Sequence, residues 1–162
     1  MSESIPENRC IVVVRIRGSV GLDKEREEVL RQLHLTRKNH ATILYTSPSI
    51  AGTLQKVKDY TTWGEVDLGT VEKLLRERGM MEGGKRLTEE DMKEQLGYSS
   101  FAELAKELHD GKVEISHIRK MKPVFRLHPP KKGFKGSIHK PYPEGELGYR
   151  GESICLLLSK MM

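Results

Sequence analysis

The chain has 162 residues, of which 36% are hydrophobic and 31% charged, with a formal net charge of +5. That balance allows one ordinary domain with a modest core and requires much of the surface to face water or a polar partner. No apolar run approaches the length that crosses a bilayer, and no charged-then-apolar leader opens the chain, so a soluble, cytoplasmic protein is expected.

The elements follow in chain order. Cys10–Arg17 reads CIVVVRIR, a β-branched run of strand type, with Val12, Val14 and Ile16 on one face and Val13, Arg15 and Arg17 on the other. Gly18 and Gly21 end it, and a helix over Leu22–Leu33 follows, with Leu22, Val29, Leu30 and Leu33 near one face. A polar hinge, Thr36–His40, leads to a second strand at Ala41–Tyr45. Ser47-Pro48 opens a second helix that runs through Lys58, because serine caps and proline lacks an N–H that the first turn cannot use. Thr61–Val66, with Trp63, forms a third strand. This order, β-α-β-α-β, predicts an α+β layer with both helices on one sheet face.

The middle of the chain is predicted helical. Leu68, Val71, Leu74 and Leu75 make one stripe before Gly79, and Thr88 with Asp91 sits at capping-box spacing. Ser100 and Glu103 form a second capping box before Phe101, Leu104, Ala105 and Leu108. At the C-terminal end Ile154, Leu157, Leu158 and Met161 recur at helical spacing. Cys10 and Cys155 lie far apart in apolar runs, and buried free thiols are expected.

Charge is segregated along the chain. Residues 1–64 carry ten basic and seven acidic side chains, residues 65–111 seven and twelve, and residues 112–150 ten and three. An acidic block therefore separates two basic ones, as expected when one side of a protein meets a polyanion. The sharpest feature lies between Arg119 and Lys140, with eight Lys/Arg, no Asp or Glu, and interleaved Pro123, Pro129, Pro130, Gly133 and Gly136. Such a segment cannot form long regular elements. Its charge suits RNA phosphates, while Arg126, His128 and Phe134 offer planes for base stacking. Arg15 and Arg17 on one sheet face could grip phosphate or pair with the glutamates of the first helix. Arg37, Lys38, Asn39 and His40 make a further basic turn.

Catalytic motifs are weak. Gly79–Lys85 matches the first seven positions of a phosphate loop, but Arg86 stands where Ser or Thr must hold magnesium, and a helix precedes it. The six histidines have no metal-ligand spacing, neither cysteine has a CxxC context, and no nucleophile elbow or zinc-protease motif occurs. Neither a catalytic constellation nor a cofactor is expected. Two readings stay open beside RNA binding: a small RNA-processing or RNA-modifying enzyme with His128 as its candidate acid–base group, and a ferredoxin-like module binding a small ligand.

Three collinear stretches bear on the choice. Arg15-Ile16-Arg17-Gly18 with Leu30-Arg31-Gln32-Leu33-His34-Leu35-Thr36-Arg37-Lys38-Asn39-His40 is the first. Gly52–Tyr60 with Trp63-Gly64-Glu65 is the second, and Phe125-Arg126-Leu127-His128-Pro129-Pro130 with Gly133-Phe134-Lys135 the third. Together they resemble the L-thirty family of large-subunit ribosomal proteins over roughly residues 9–160, in the branch shared by archaea and eukaryotes, whose eukaryotic members are called L-seven. The short stretch before Cys10 resembles archaeal members. The resemblance implies a ferredoxin-like β-α-β-α-β core over residues 1–66 and an extension over 67–162. That extension would comprise acidic helices (67–110), a basic RNA-binding loop (112–150) and a terminal helix (151–162). It implies a non-enzymatic, cofactor-free ribosomal constituent with no small-molecule substrate. The implied partners are large-subunit ribosomal RNA, 5S RNA and neighbouring ribosomal proteins. The RNA-contacting candidates are Arg15, Arg17, Arg37, Lys38, Asn39, His40, Lys56, Lys58, Arg126, His128, Lys131, Lys132, Phe134, Lys135, His139 and Lys140.

Overall fold

The computed structural model describes residues 7–162. Strands β1 (Cys10–Arg15), β2 (His40–Tyr45) and β3 (Thr61–Glu65) alternate with helices α1 (Lys24–Gln32) and α2 (Pro48–Lys56). Asp23 and Ser47 cap these helices through their side chains, and Pro48 takes the first turn of α2 as expected. The extension adds α3 (Leu68–Arg78), a short α4 (Glu89–Asp91) that continues as a π-helical turn, and α5 (Phe101–His109). Strands β4 (Phe125–Arg126), β5 (Ser137–Pro141) and β6 (Gly145–Tyr149) follow, and α6 (Ile154–Met161) closes the chain.

The six strands form one sheet in the order β4-β2-β1-β3-β6-β5. β1 lies inside it, antiparallel to both β2 and β3. The fold is α+β with the ferredoxin-like β-α-β-α-β unit at its centre. α1 and α2 share one face, where Val29, Leu30, Leu54 and Val57 pack with Ile11, Val13 and Trp63. The opposite face belongs to the extension. Cys10, Val12 and Val14 of β1 and Ala41 and Ile43 of β2 share a core with α3, α5 and α6. The extension therefore completes the interior rather than hanging from it, and its acidic helices turn apolar stripes toward the sheet.

Several local expectations are sharpened. Thr88 and Asp91 make a reciprocal capping box. Ser100 Oγ accepts from Glu103 N, but the Glu103 carboxylate accepts from Ser99 N and Oγ instead of reciprocating to Ser100. Residues 79–86 fold as a tight turn, with Met81 N donating to Lys85 O and Met80 bridged to Arg86, not as a strand–loop–helix phosphate cradle. Both cysteines are free thiols; Cys10 is buried, and burial pushes its pKa up to about 12. Cys155 is only half-buried, because its place on α6 falls between the core-facing positions and solvent.

Gly64 explains how α6 seats against β3. A Cβ there would lie 1.9 Å from the carbonyl oxygen of Gly151, just before α6 begins. Gly64→Ala must therefore displace backbone. It is expected to lower unfolding free energy by roughly 2–4 kcal/mol in a denaturant titration. A loss under about 0.5 kcal/mol would show that this contact relaxes freely.

Candidate nucleic-acid interface

The basic hinge and the distant basic segment meet at one edge of the sheet. His40 opens β2 directly opposite Arg126 of β4. Asn39 takes a left-handed conformation (φ +68°), which asparagine tolerates better than most residues. Its N–H donates to Arg15 O at 2.7 Å, and its carbonyl accepts from Leu127 N at 3.0 Å. One turn residue thus fastens the end of β1 to the start of the basic segment. Arg37, Lys38 and Arg126 are exposed around this knot. Burial, then Arg126, Arg37 and Arg15, hold the His40 imidazole below its ordinary pKa of 6.5. Three guanidiniums around His40 make this edge of the sheet positive.

From Leu127 the chain crosses the extension's face of the molecule as a docked strap. Leu127 and Pro130 are buried. His128 N donates to Met161 O and Lys131 N to Lys160 O, each at 3.1 Å, so the strap is pinned to the last turn of α6. The His128 ring is held as well, with Nε2 2.9 Å from Met162 O and Nδ1 2.6 Å from Pro129 O. Phe134 is half-buried against the core. Beyond it Gly136 N donates to Glu146 Oε1 at 2.8 Å. Glu146 is itself locked to Arg150 by a buried ion pair of 2.6 Å. Burial pushes the Glu146 carboxyl up, but the Arg150 contact and the Gly136 and Lys135 N–H groups outweigh it and leave the pKa lowered.

This geometry sorts the sixteen candidates. Lys131, Lys132 and Lys135 project from the strap, exposed. No carboxylate among the described residues forms an ion pair with them or with Arg37, Lys38 or Arg126. Phe134 and His128, expected to offer stacking planes, instead anchor the strap. Arg15 differs most from its expected role. It is 2% exposed, and its guanidinium donates to the carbonyls of Leu35 and Arg17 and to Ser19 Oγ. That is an interior clamp joining the end of β1 to the chain after α1. Arg17 is half-buried, stacked 5.1 Å from the Tyr60 ring centre and donating to Asp59 O.

Lys56, Lys58, His139 and Lys140 are exposed and do not join this cluster. His139 and Lys140 lie on β5, the opposite edge strand from β4. There Lys58 and His139 border a cleft that Trp63, Tyr142 and Tyr149 help to wall. Sequence reasoning did not single out these aromatics as site residues, because they are scattered over 87 positions; pairing of β3 with β6 joins Trp63 to Tyr149, and Tyr142 arrives through its N–H bond to Leu147 O. Among the described residues no group of His, Cys, Asp and Glu is arranged to hold a metal ion. Among the described residues no helix is long and apolar enough to cross a membrane.

Comparison with known proteins identifies the family. Residues 11–61 match the family described as ribosomal protein L30p/L7e. The chain is 45% identical to the large ribosomal subunit protein uL30 of Archaeoglobus fulgidus over 149 residues, covering 92% of this chain and 97% of that one. It is 45% identical to uL30 of Methanopyrus kandleri, covering 91% of this chain and all of the relative, and 47% identical to uL30 of Nanoarchaeum equitans, covering 88% and 92%. With nearly half of the residues shared along almost the whole length, the chain belongs to the uL30 family of large ribosomal subunit proteins.

Proposed function

We propose that this protein is a structural constituent of the large ribosomal subunit that binds and stabilises folded ribosomal RNA in the cytoplasm, without performing chemistry. The observation that carries the reading is the convergence of the Arg37–His40 turn with Arg126, continued by the lysines of a strap already docked on the protein. Folded RNA presents phosphates at regular spacing, and cations held on a rigid frame neutralise them without first losing their own freedom. Arg37, Lys38, Arg126, Lys131, Lys132 and Lys135 form the main contact surface. Lys56, Lys58, His139 and Lys140 offer a second one at the opposite sheet edge. Arg15, Asn39, His128 and Phe134 act indirectly, by holding the turn and the strap in place. Two separated surfaces suit a protein that touches more than one RNA segment, with 5S RNA a candidate for one of them. Neighbouring ribosomal proteins complete its surroundings.

The enzyme reading finds no favouring observation. A catalytic His128 would need a ring nitrogen free to face a substrate, whereas both of its nitrogens lie against backbone carbonyls.

Two measurements test the proposal. Replacing Lys131, Lys132 and Lys135 by Gln is expected to lower the slope of log affinity against log salt for ribosomal RNA by about two to three units. An unchanged slope moves the phosphate contacts elsewhere. In the free protein, the NMR titration of His40 is expected to have its midpoint below 6.5. Because the folded pKa is lowered, the stability linked to His40 is present above the unfolded value and is lost as pH falls from there through the folded pKa. Bound RNA changes both the charge and the burial around this ring, so it shifts the midpoint. A midpoint indifferent to RNA contradicts contact at this turn.

A further inference from the structure

At the sheet edge away from the main cationic cluster, a cleft of about 650 Å³ opens between the end of α2 and the β5–β6 pair. Its volume falls within the range of about 300–1,000 Å³ usual for small-molecule and cofactor sites. The strap and the α6 end do not fill it, and none of the interactions described above explains it. Three aromatic rings border it: Trp63 from β3, Tyr149 from β6, and Tyr142 after β5. Lys58 supplies a positive charge on the wall and Asp59 a negative one, His139 adds an exposed imidazole, and the Arg150 charge is already paired with Glu146.

Two features of the wall point to a ligand with a flat, polar ring. Trp63 is 1% exposed, and its indole N–H has no acceptor among the described residues. Buried donors are rarely left in that state. Tyr142 is 39% exposed, with the Arg150 guanidinium 5.2 Å from its ring centre. Arg150 is fixed by Glu146 and by Thr62 Oγ1, so that it backs Tyr142 rather than swinging into solvent. The Tyr149 hydroxyl is likewise held, donating to Glu65.

We infer that this cleft receives an unstacked nucleobase from a single-stranded segment of RNA. Tyr142, backed by Arg150, supplies the stacking face. The indole N–H of Trp63 meets a ring-nitrogen or carbonyl acceptor on the base edge after a small shift of the neighbouring rings. Lys58 and His139 hold the flanking phosphates at the mouth. Each chemical part of a nucleotide has a counterpart: π-face, acceptor edge and phosphate. The inference rests on the RNA-binding reading above and assigns it a distinct subsite.

Trp63 is the single tryptophan of the chain, so the full-length protein carries its own reporter. Titration with hexauridylate and hexaadenylate at low salt is expected to change the Trp63 fluorescence saturably with at least one of the two. Tyr142→Ala should weaken that transition about fivefold or more, and Lys58→Gln about two- to fivefold. Lys58→Gln lies on an exposed position after α2 and keeps the fold testable should Tyr142→Ala disturb the β5–β6 pair. Lys73→Gln, on the exposed face of α3, should leave the fluorescence midpoint within about twofold of wild type at the same ionic strength. Unchanged fluorescence with both oligonucleotides, in a protein that still binds ribosomal RNA, overturns the cleft assignment and leaves the RNA-binding function standing. A fluorescence change equally strong in both cleft variants also overturns it. Failure to bind ribosomal RNA at all contradicts both readings.

Discussion

The arrangement depends on the burial of β1 on both of its faces. A strand flanked by β2 and β3 has its backbone groups satisfied within the sheet, but its side chains alternate between two sides, and every residue of CIVVVR is buried. Helices α1 and α2 can cover only the Ile11 and Val13 side. Without the extension, Cys10, Val12 and Val14 would face water beside Ala41 and Ile43, a contiguous apolar surface that a soluble monomer rarely exposes. Helices α3, α5 and α6 therefore pack there, and the chain after α5 must return across that layer to reach the sheet edges. The basic strap is the path of that return.

This origin matters for function. A cationic loop of twenty-odd residues, free in solution, would lose much conformational freedom on binding. Here the strap is already fixed by Leu127 and Pro130 in the interior, by two backbone hydrogen bonds to α6, and by Gly136 on the Glu146–Arg150 pair. The lysines alone remain to be ordered. Arg15 and Asn39 extend the same frame to the first half of the chain, since the Arg15 backbone carbonyl receives the Asn39 N–H while its guanidinium holds the segments around it. Charge is presented from a scaffold whose shape is set by packing.

Elements with strong periodicity were legible in the sequence because their apolar faces answer to a single neighbouring layer. The α6 stripe of Ile154, Leu157, Leu158 and Met161 is buried as the spacing predicts, and both helices of the β-α-β-α-β unit lie on one face. Site roles were less legible, for a physical reason. Alternation places Arg15 on the α1 side of the sheet, but whether a cation there meets solvent or carbonyls depends on where the chain after α1 passes. Leu35 decides it, through a contact twenty residues away. Phe134 and His128 look like stacking groups in a basic context, yet the core takes Phe134 and the end of α6 takes His128. The pairing of His40 with Arg126 joins residues 86 positions apart, and nothing in either segment alone specifies the other as partner. The cleft aromatics are equally non-local. Family resemblance supplied the type of core fold and the RNA-binding expectation, because three collinear motifs point to one family, but it did not specify these pairings.

The central claim is that the docked strap and the Arg37–Arg126 knot form the surface by which this uL30 member holds ribosomal RNA. Protein–RNA crosslinking within large subunits from the source organism, mapped to residues on the protein side, tests it most directly. The account predicts crosslinks concentrated at residues 37–40, 126 and 131–135, with few on the acidic outer faces of α3 and α5. Crosslinks confined to those helices, or a protein recovered free of large subunits, would contradict it.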